Sequence, residues 1–79
     1  MKQFVATFHT HLSALMTCKA LEQANVSARM SPVPRVLSSS CGTCVFYTAE
    51  HCCEDLLDAD TEAVYEANNG TYQLIMNFE

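Results

Sequence analysis

The chain of 79 residues is long enough for one small domain, and its 49% hydrophobic content predicts a folded core. A formal net charge of -5 with only four lysines and arginines argues against nucleic acid or an anionic membrane as the partner, because both require a basic patch. We find no signal-peptide pattern and no apolar run near the roughly 18 residues that span a bilayer. These features predict a cytoplasmic protein with a single domain over residues 1–79.

The order of the predicted elements defines the expected fold class. Alternating apolar residues predict a strand over residues 1–8, and a helix follows with Thr10 as its N-cap and Asn25 at its end. Residues 26–33 and 43–48 have strand composition, the first as an edge strand because of its prolines. Residues 50–59 predict a short second helix. A final strand completes a β-α-β-β-α-β order, which is that of a ferredoxin-like α+β sandwich.

The last twenty residues allow two interpretations. In one, the second helix continues to Ala67 and a single strand follows. In the other, which we prefer, strands 62–67 and 71–78 form a hairpin around Asn68-Asn69-Gly70, because Asn-Gly favours a hairpin turn. The hairpin adds a C-terminal strand to the sandwich. Its apolar Leu74-Ile75-Met76 segment could pair across an exposed edge, which would give a homodimer.

Two side-chain patterns predict which surfaces are buried. The apolar residues of the first helix form a stripe that should pack on the sheet, namely Leu12, Leu15, Met16, Ala20 and Leu21. The acidic residues near the second helix predict a solvated face, namely Glu50, Glu54, Asp55, Asp58, Asp60 and Glu62.

The chemistry of the chain is concentrated between Pro32 and Cys44. The two prolines stiffen the exit from a strand, and three serines then supply hydroxyl groups that can bind an anion. Cys41-Gly42-Thr43-Cys44 is a Cys-x-x-Cys motif, whose spacing serves dithiol redox chemistry, metal binding or sulfur transfer. Because the residues after the motif favour a strand and not a helix, a thioredoxin-like site is disfavoured.

Within this segment we expect Cys41 to be the reactive thiol. Arg35 and the backbone N–H groups around Gly42 are the available groups that could stabilise its anion. Cys44 is predicted to be a resolving thiol or a buried residue at the start of the third strand. Cys53 is expected to serve packing, and Cys18 is expected to have no special role.

The histidines leave a further alternative open. His9 could exchange a proton with Cys41. His9 and His11 together with Cys41 and Cys44 could also supply four zinc ligands, although this spacing matches no standard zinc finger.

The motifs resemble those of a family of small prokaryotic selenium/sulfur-carrier-like proteins. The resemblance covers most of the chain. It rests on an opening strand that ends in Ala6-Thr7-Phe8-His9, a helix, and then Val33-Pro34-Arg35 followed by Ser38-Ser39-Ser40-Cys41-Gly42. It implies that Cys41 bears the chalcogen in the setting of Arg35, Ser40 and Gly42.

The expected function is therefore that of a carrier rather than an enzyme, with no cofactor. Cys41 would hold sulfur or selenium as a persulfide or selenopersulfide, with Arg35 as an aid and Cys44 as the group that releases the cargo. Ser39, Ser40, Gly42 and His9 would line the cargo site. The partners would be the proteins that donate and accept the chalcogen. A zinc-type Cys/His protein and a dithiol redox or interaction module remain alternatives.

Overall fold

A computed structural model describes residues 1–78 of the chain. One long helix, α1 (His11–Gln23), follows the first strand. The five strands are β1 (Lys2–Phe8), β2 (Ser27–Pro32), β3 (Thr43–Ala49), β4 (Thr61–Asn68) and β5 (Thr71–Asn77). The strands form one antiparallel sheet in the order β2-β3-β1-β4-β5. The predicted α+β class is thus confirmed.

The ferredoxin-like β-α-β-β-α-β arrangement is not confirmed, because residues 1–78 contain no second α-helix. Between β3 and β4 the chain forms only a three-residue 3₁₀ turn, Glu54–Leu56. Cys53, just before it, has a left-handed φ of 56°, which a continuous α-helix excludes. The prediction of a helix over residues 50–59 was therefore wrong.

Contacts with α1 explain why the segment before β4 is irregular. Asp58 accepts a hydrogen bond from the Ser13 hydroxyl at 2.7 Å, and its own backbone N–H donates to Thr17 Oγ1 at 2.9 Å. The Asp58 carbonyl oxygen accepts from the Thr61 hydroxyl at 2.6 Å. These bonds satisfy polar groups that a helix would otherwise have paired internally.

The face of α1 that is buried differs from the predicted apolar stripe, and the contacts with Asp58 account for the difference. Thr10 is the N-cap as expected, since its hydroxyl accepts from the Ser13 N–H at 3.1 Å. Leu12 and Met16, however, are 63% and 50% exposed. The buried face of α1 instead consists of Ser13, Ala14, Thr17, Cys18 and Leu21. The predicted burial of Leu21 is confirmed, whereas the predicted burial of Leu12 and Met16 was wrong, because Ser13 and Thr17, which bond Asp58, face the sheet side instead.

The C-terminal hairpin is confirmed. Asn69 and Gly70 connect β4 to β5, and their φ angles of 50° and 86° are both positive, as a tight hairpin turn of type I′ requires. β5 lies at one edge of the sheet, where Leu74 and Ile75 are exposed. Homodimerisation through this edge stays a prediction.

The core lies between α1 and one face of the sheet. Alternate residues of β1, namely Phe4, Ala6 and Phe8, pack there with Val45, Tyr47 and Val64. Phe4 stacks on Tyr47 with ring centroids 5.3 Å apart. None of the helices in residues 1–78 has the length and apolar character that crossing a membrane requires.

Candidate functional site

Residues 33–42 connect β2 to β3 and form what we call the thiol loop. Its base is closed by a hydrogen bond from the Val33 N–H to the Gly42 carbonyl at 3.0 Å. A second turn closes from the Gly42 N–H to the Ser39 carbonyl at 3.3 Å. Gly42 has a φ of +74°, a conformation that other residues rarely adopt, so glycine is favoured where the chain passes from this turn into β3.

Cys41 is half-buried and lies among hydrogen-bond acceptors. Its thiol donates to the Thr43 carbonyl oxygen at 3.5 Å, and its sulfur lies 3.7 Å from Ser39 Oγ. The Ser39 hydroxyl donates to the carbonyl oxygen of Phe8 at 2.8 Å, which ties the loop to the end of β1. The thiol is thus held in place by side chain and backbone on both sides of the turn.

Ser40 fastens the other side of the turn to β4. Its N–H and hydroxyl donate to the two carboxylate oxygens of Glu62, at 3.1 and 2.7 Å. His9 Nδ1 lies 3.4 Å from the same carboxylate. Although burial raises the pKa of Glu62, the hydrogen bonds from Ser40, the charge of His9 and a contact with Ser39 lower it below its ordinary value. Glu62 is therefore ionised at neutral pH.

Glu62 is the residue of the candidate site that sequence reasoning missed. It was assigned to a solvated acidic face, yet its side chain is only 12% exposed. Glu62 is the extra residue of a β-bulge in β4. Its neighbours Thr61 and Ala63 pair with the adjacent β1 residues Phe8 and Thr7, and no β1 residue pairs with Glu62 itself. A bulge leaves no signal in the hydrophobic pattern, and the only cue was a carboxylate at the start of a predicted strand.

Cys44, the second cysteine of the motif, is fully buried in β3. Its thiol donates to the Pro32 carbonyl at 3.7 Å. Burial raises the pKa of the Cys44 thiol to about 11; Arg29 opposes this shift and Cys41 adds to it. All five cysteines are free thiols. The roles of Cys44 as a resolving thiol and as half of a redox dithiol stay predictions, and its burial argues against both.

The two arginines differ from expectation in their surroundings. Arg35 is exposed in the turn that the Leu37 N–H closes onto the Pro34 carbonyl. No hydrogen bond or ion pair joins its guanidinium to another residue within 1–78, so its role at the thiol stays a prediction. Arg29 lies over the Phe46 ring at 4.5 Å, and its charge acts on Cys44.

The zinc alternative finds no support in the geometry. Among residues 1–78, no group of three or more His, Cys, Asp or Glu side chains is arranged to hold a metal ion. His11 Nδ1 lies 3.4 Å from Thr43 Oγ1, and the thiols of Cys41 and Cys44 donate to different carbonyl groups.

An open groove of about 370 Å³ adjoins the thiol loop. It runs between the start of α1 and the β2–β3 hairpin and is lined by His11, Met30, Ser31, Pro32, Gly42 and Thr43. The groove gives a second molecule access to the β2–β3 end of the loop.

The fold and the site define a small α+β domain that presents a single half-buried thiol on a hydrogen-bonded loop. The family described as "Putative Se/S carrier protein-like" matches residues 3–66, which contain most of β1 and β4 and all of the elements between them, including the thiol loop. The chain belongs to this family, which confirms the resemblance predicted from the motifs.

One relative spans nearly the whole chain. It is "Uncharacterized protein YtiA" of Escherichia coli (strain K12), which is 31% identical over 80 residues, covering 99% of this chain and 94% of the relative. No solved structure matches the chain.

Proposed function

We propose that this protein carries sulfur or selenium on Cys41 as a persulfide or selenopersulfide. The observation that carries the proposal is the position of Cys41, a half-buried thiol beside a serine hydroxyl on the loop that the family match includes. Cys44 is fully buried, so Cys41 is the thiol of the motif that a partner reaches first.

The transfer step conserves electrons. The Cys41 thiolate attacks the terminal sulfur of a persulfide on the donor protein. A new S–S bond forms at Cys41 while the donor's S–S bond breaks, and the donor leaves as a thiolate. Delivery to the acceptor repeats the exchange in the other direction. The partners are thus proteins that donate and accept a chalcogen, and no cofactor takes part.

The carried anion needs hydrogen-bond donors. Ser39 already lies within hydrogen-bond distance of the Cys41 sulfur, and its hydroxyl can turn from the Phe8 carbonyl towards an anionic sulfur. Arg35 is exposed on the same loop and would supply positive charge once the cargo extends beyond Cys41.

Loading by a cysteine desulfurase tests the proposal. The protein is incubated with the desulfurase and cysteine, and its intact mass is recorded before and after reduction. We expect one added sulfur that reductant removes, and none in Cys41→Ala. Cys52→Ala is the matched control, because Cys52 is the other half-buried cysteine. Equal uptake by the Cys41→Ala variant would eliminate Cys41 as the carrier residue.

A further inference from the structure

We infer that Glu62 is a positioning residue for Cys41, a latch that holds the thiol loop closed and that must open for chalcogen transfer. The inference rests on the proposed function, because it concerns how the carrier thiol becomes accessible to a partner. Nothing in the sequence pattern assigns a role to this carboxylate.

The contacts of Glu62 reach the residue directly before Cys41. Both Ser40 donors, the backbone N–H and the hydroxyl, are bound by the one carboxylate. The turn from Ser39 to Gly42 is thereby fixed at Ser40 from β4 and at Ser39 from β1. Charge-assisted hydrogen bonds are roughly twice as strong as neutral ones, so Glu62 is the stronger of the two anchors.

In the closed arrangement the thiol points inward. Cys41 packs against the hydrophobic core and donates its hydrogen to the Thr43 carbonyl. In-line attack on a partner's persulfide requires the sulfur to face that partner, so the segment at positions 40 and 41 has to move outward. The bonds that this movement breaks are those between Ser40 and Glu62.

The surroundings of Glu62 determine when the latch is closed. His9 approaches from the β1–α1 connection, Ser39 and Ser40 from the thiol loop, and the Phe78 N–H bonds the Glu62 carbonyl oxygen at 2.9 Å from the end of β5. His9 is the one basic side chain among these contacts. Since the pKa of Glu62 lies below its ordinary value of 4.5, the latch is closed at neutral pH and opens as the pH falls through that lowered pKa.

The first test measures the reactivity of Cys41 in the intact protein. Iodoacetamide labelling at neutral pH is followed by peptide mass spectrometry, which separates Cys41 from the other four cysteines. Glu62→Gln keeps the size of the side chain but removes its charge and one acceptor. We expect Cys41 to be labelled about tenfold faster, as the loss of roughly one charge-assisted hydrogen bond implies. Glu66→Gln, on the same strand, is the matched control and should react like the unmodified protein.

The second test uses pH, which a merely structural role of Glu62 would not couple to the thiol. With 4,4′-dithiodipyridine, which reacts with thiols in acid, the ratio of the Cys41 labelling rate in Glu62→Gln to that in the unmodified protein should fall towards one as the pH falls below 4.5, because the shared loss of thiolate cancels in the ratio. Far-UV circular dichroism reports whether both proteins stay folded across this range.

If Cys41 were labelled at the same rate and with the same pH profile in Glu62→Gln and in the unmodified protein, the inference that Glu62 acts as a latch would be wrong. These readouts need no sulfur donor, so they are independent of the loading experiment. Sulfur uptake on Cys41 together with unchanged reactivity in Glu62→Gln would remove the latch and leave the carrier function in place.

Discussion

The hydroxyl oxygen of Ser39 lies 3.7 Å from the sulfur of Cys41, while its hydrogen is donated to the Phe8 carbonyl at 2.8 Å. In the thiol state the Ser39 hydroxyl thus donates to Phe8, while the Cys41 thiol donates to the Thr43 carbonyl. In the anionic state the Ser39 hydroxyl is the nearest group that can turn and donate to the sulfur. This exchange makes Ser39 sensitive to the charge of its neighbour.

Ser39→Ala should consequently remove a stabilising donor from the Cys41 anion. Loss of a hydrogen bond worth about 1 kcal/mol would slow iodoacetamide labelling of Cys41 at neutral pH about fivefold. Ser38→Ala, at an exposed neighbouring position, is the control. A labelling rate that stays the same or rises would show that Ser39 only anchors the loop.

Cys44 should make the protein less stable in alkaline solution. Its folded pKa of about 11 exceeds the ordinary value of 9.0, so the unfolded chain loses this proton first as the pH rises. Stability contributed by the neutral thiol is complete below pH 9.0 and is lost towards about pH 11. A shift of this size corresponds to roughly 2–3 kcal/mol.

Urea denaturation at several alkaline pH values measures this loss, and Cys44→Ser removes it because a serine hydroxyl does not titrate there. Tyr47, Cys18 and Cys53, whose pKa values burial also raises, titrate in both proteins and cancel in the comparison. Parallel curves for Cys44→Ser and the unmodified protein would contradict the prediction.

Asp58 should contribute strongly to stability, although it belongs to an acidic run that the sequence assigns to solvent. Asp58→Ala leaves the buried Ser13 hydroxyl without its acceptor and should reduce the free energy of unfolding by about 1–3 kcal/mol. Asp55→Ala, at an exposed position in the 3₁₀ turn, should change it by less than about 0.5 kcal/mol. The urea denaturation midpoints of the two variants measure this difference. Equal midpoints would show that Asp58 contributes no more to stability than a solvent-exposed aspartate.

Elements with a local signal could be predicted from the sequence. The strand β1, the N-cap at Thr10 and the turn at Asn69-Gly70 each depend on a few adjacent residues, and all three are present. The predictions that were wrong concern features that depend on contacts between residues far apart in sequence. The face of α1 is selected by Asp58, which lies 45 residues beyond Ser13.

In the candidate site, too, features with a local signal could be predicted and features that depend on distant contacts could not. The position of Cys41 on a loop between two strands followed from local composition. Its anchors did not, because the Ser40–Glu62 bonds join residues 22 positions apart and the Ser39–Phe8 bond joins residues 31 positions apart. Arg35 was favoured for its proximity in sequence, which does not determine where an exposed side chain lies.

Tyr47 should stabilise the segment that replaces the second helix. Its hydroxyl donates to the Cys52 carbonyl at 2.5 Å, and its ring stacks on Phe4. Tyr47→Phe keeps the stacked ring but leaves the carbonyl unpaired, so the free energy of unfolding should fall by about 1–2 kcal/mol. Tyr72→Phe, on the edge strand β5, is the matched control.

The segment that contains Cys52 should also loosen in Tyr47→Phe. The Cys52 thiol lies 3.5 Å from the sulfur of Met76, a contact that holds it against β5. With the Tyr47 hydrogen bond removed, labelling of Cys52 by iodoacetamide should become several-fold faster while labelling of Cys41 stays the same. If instead both thiols accelerated together, the variant would have destabilised the whole domain, and the hydroxyl of Tyr47 would have no separate role in ordering the connection between β3 and β4.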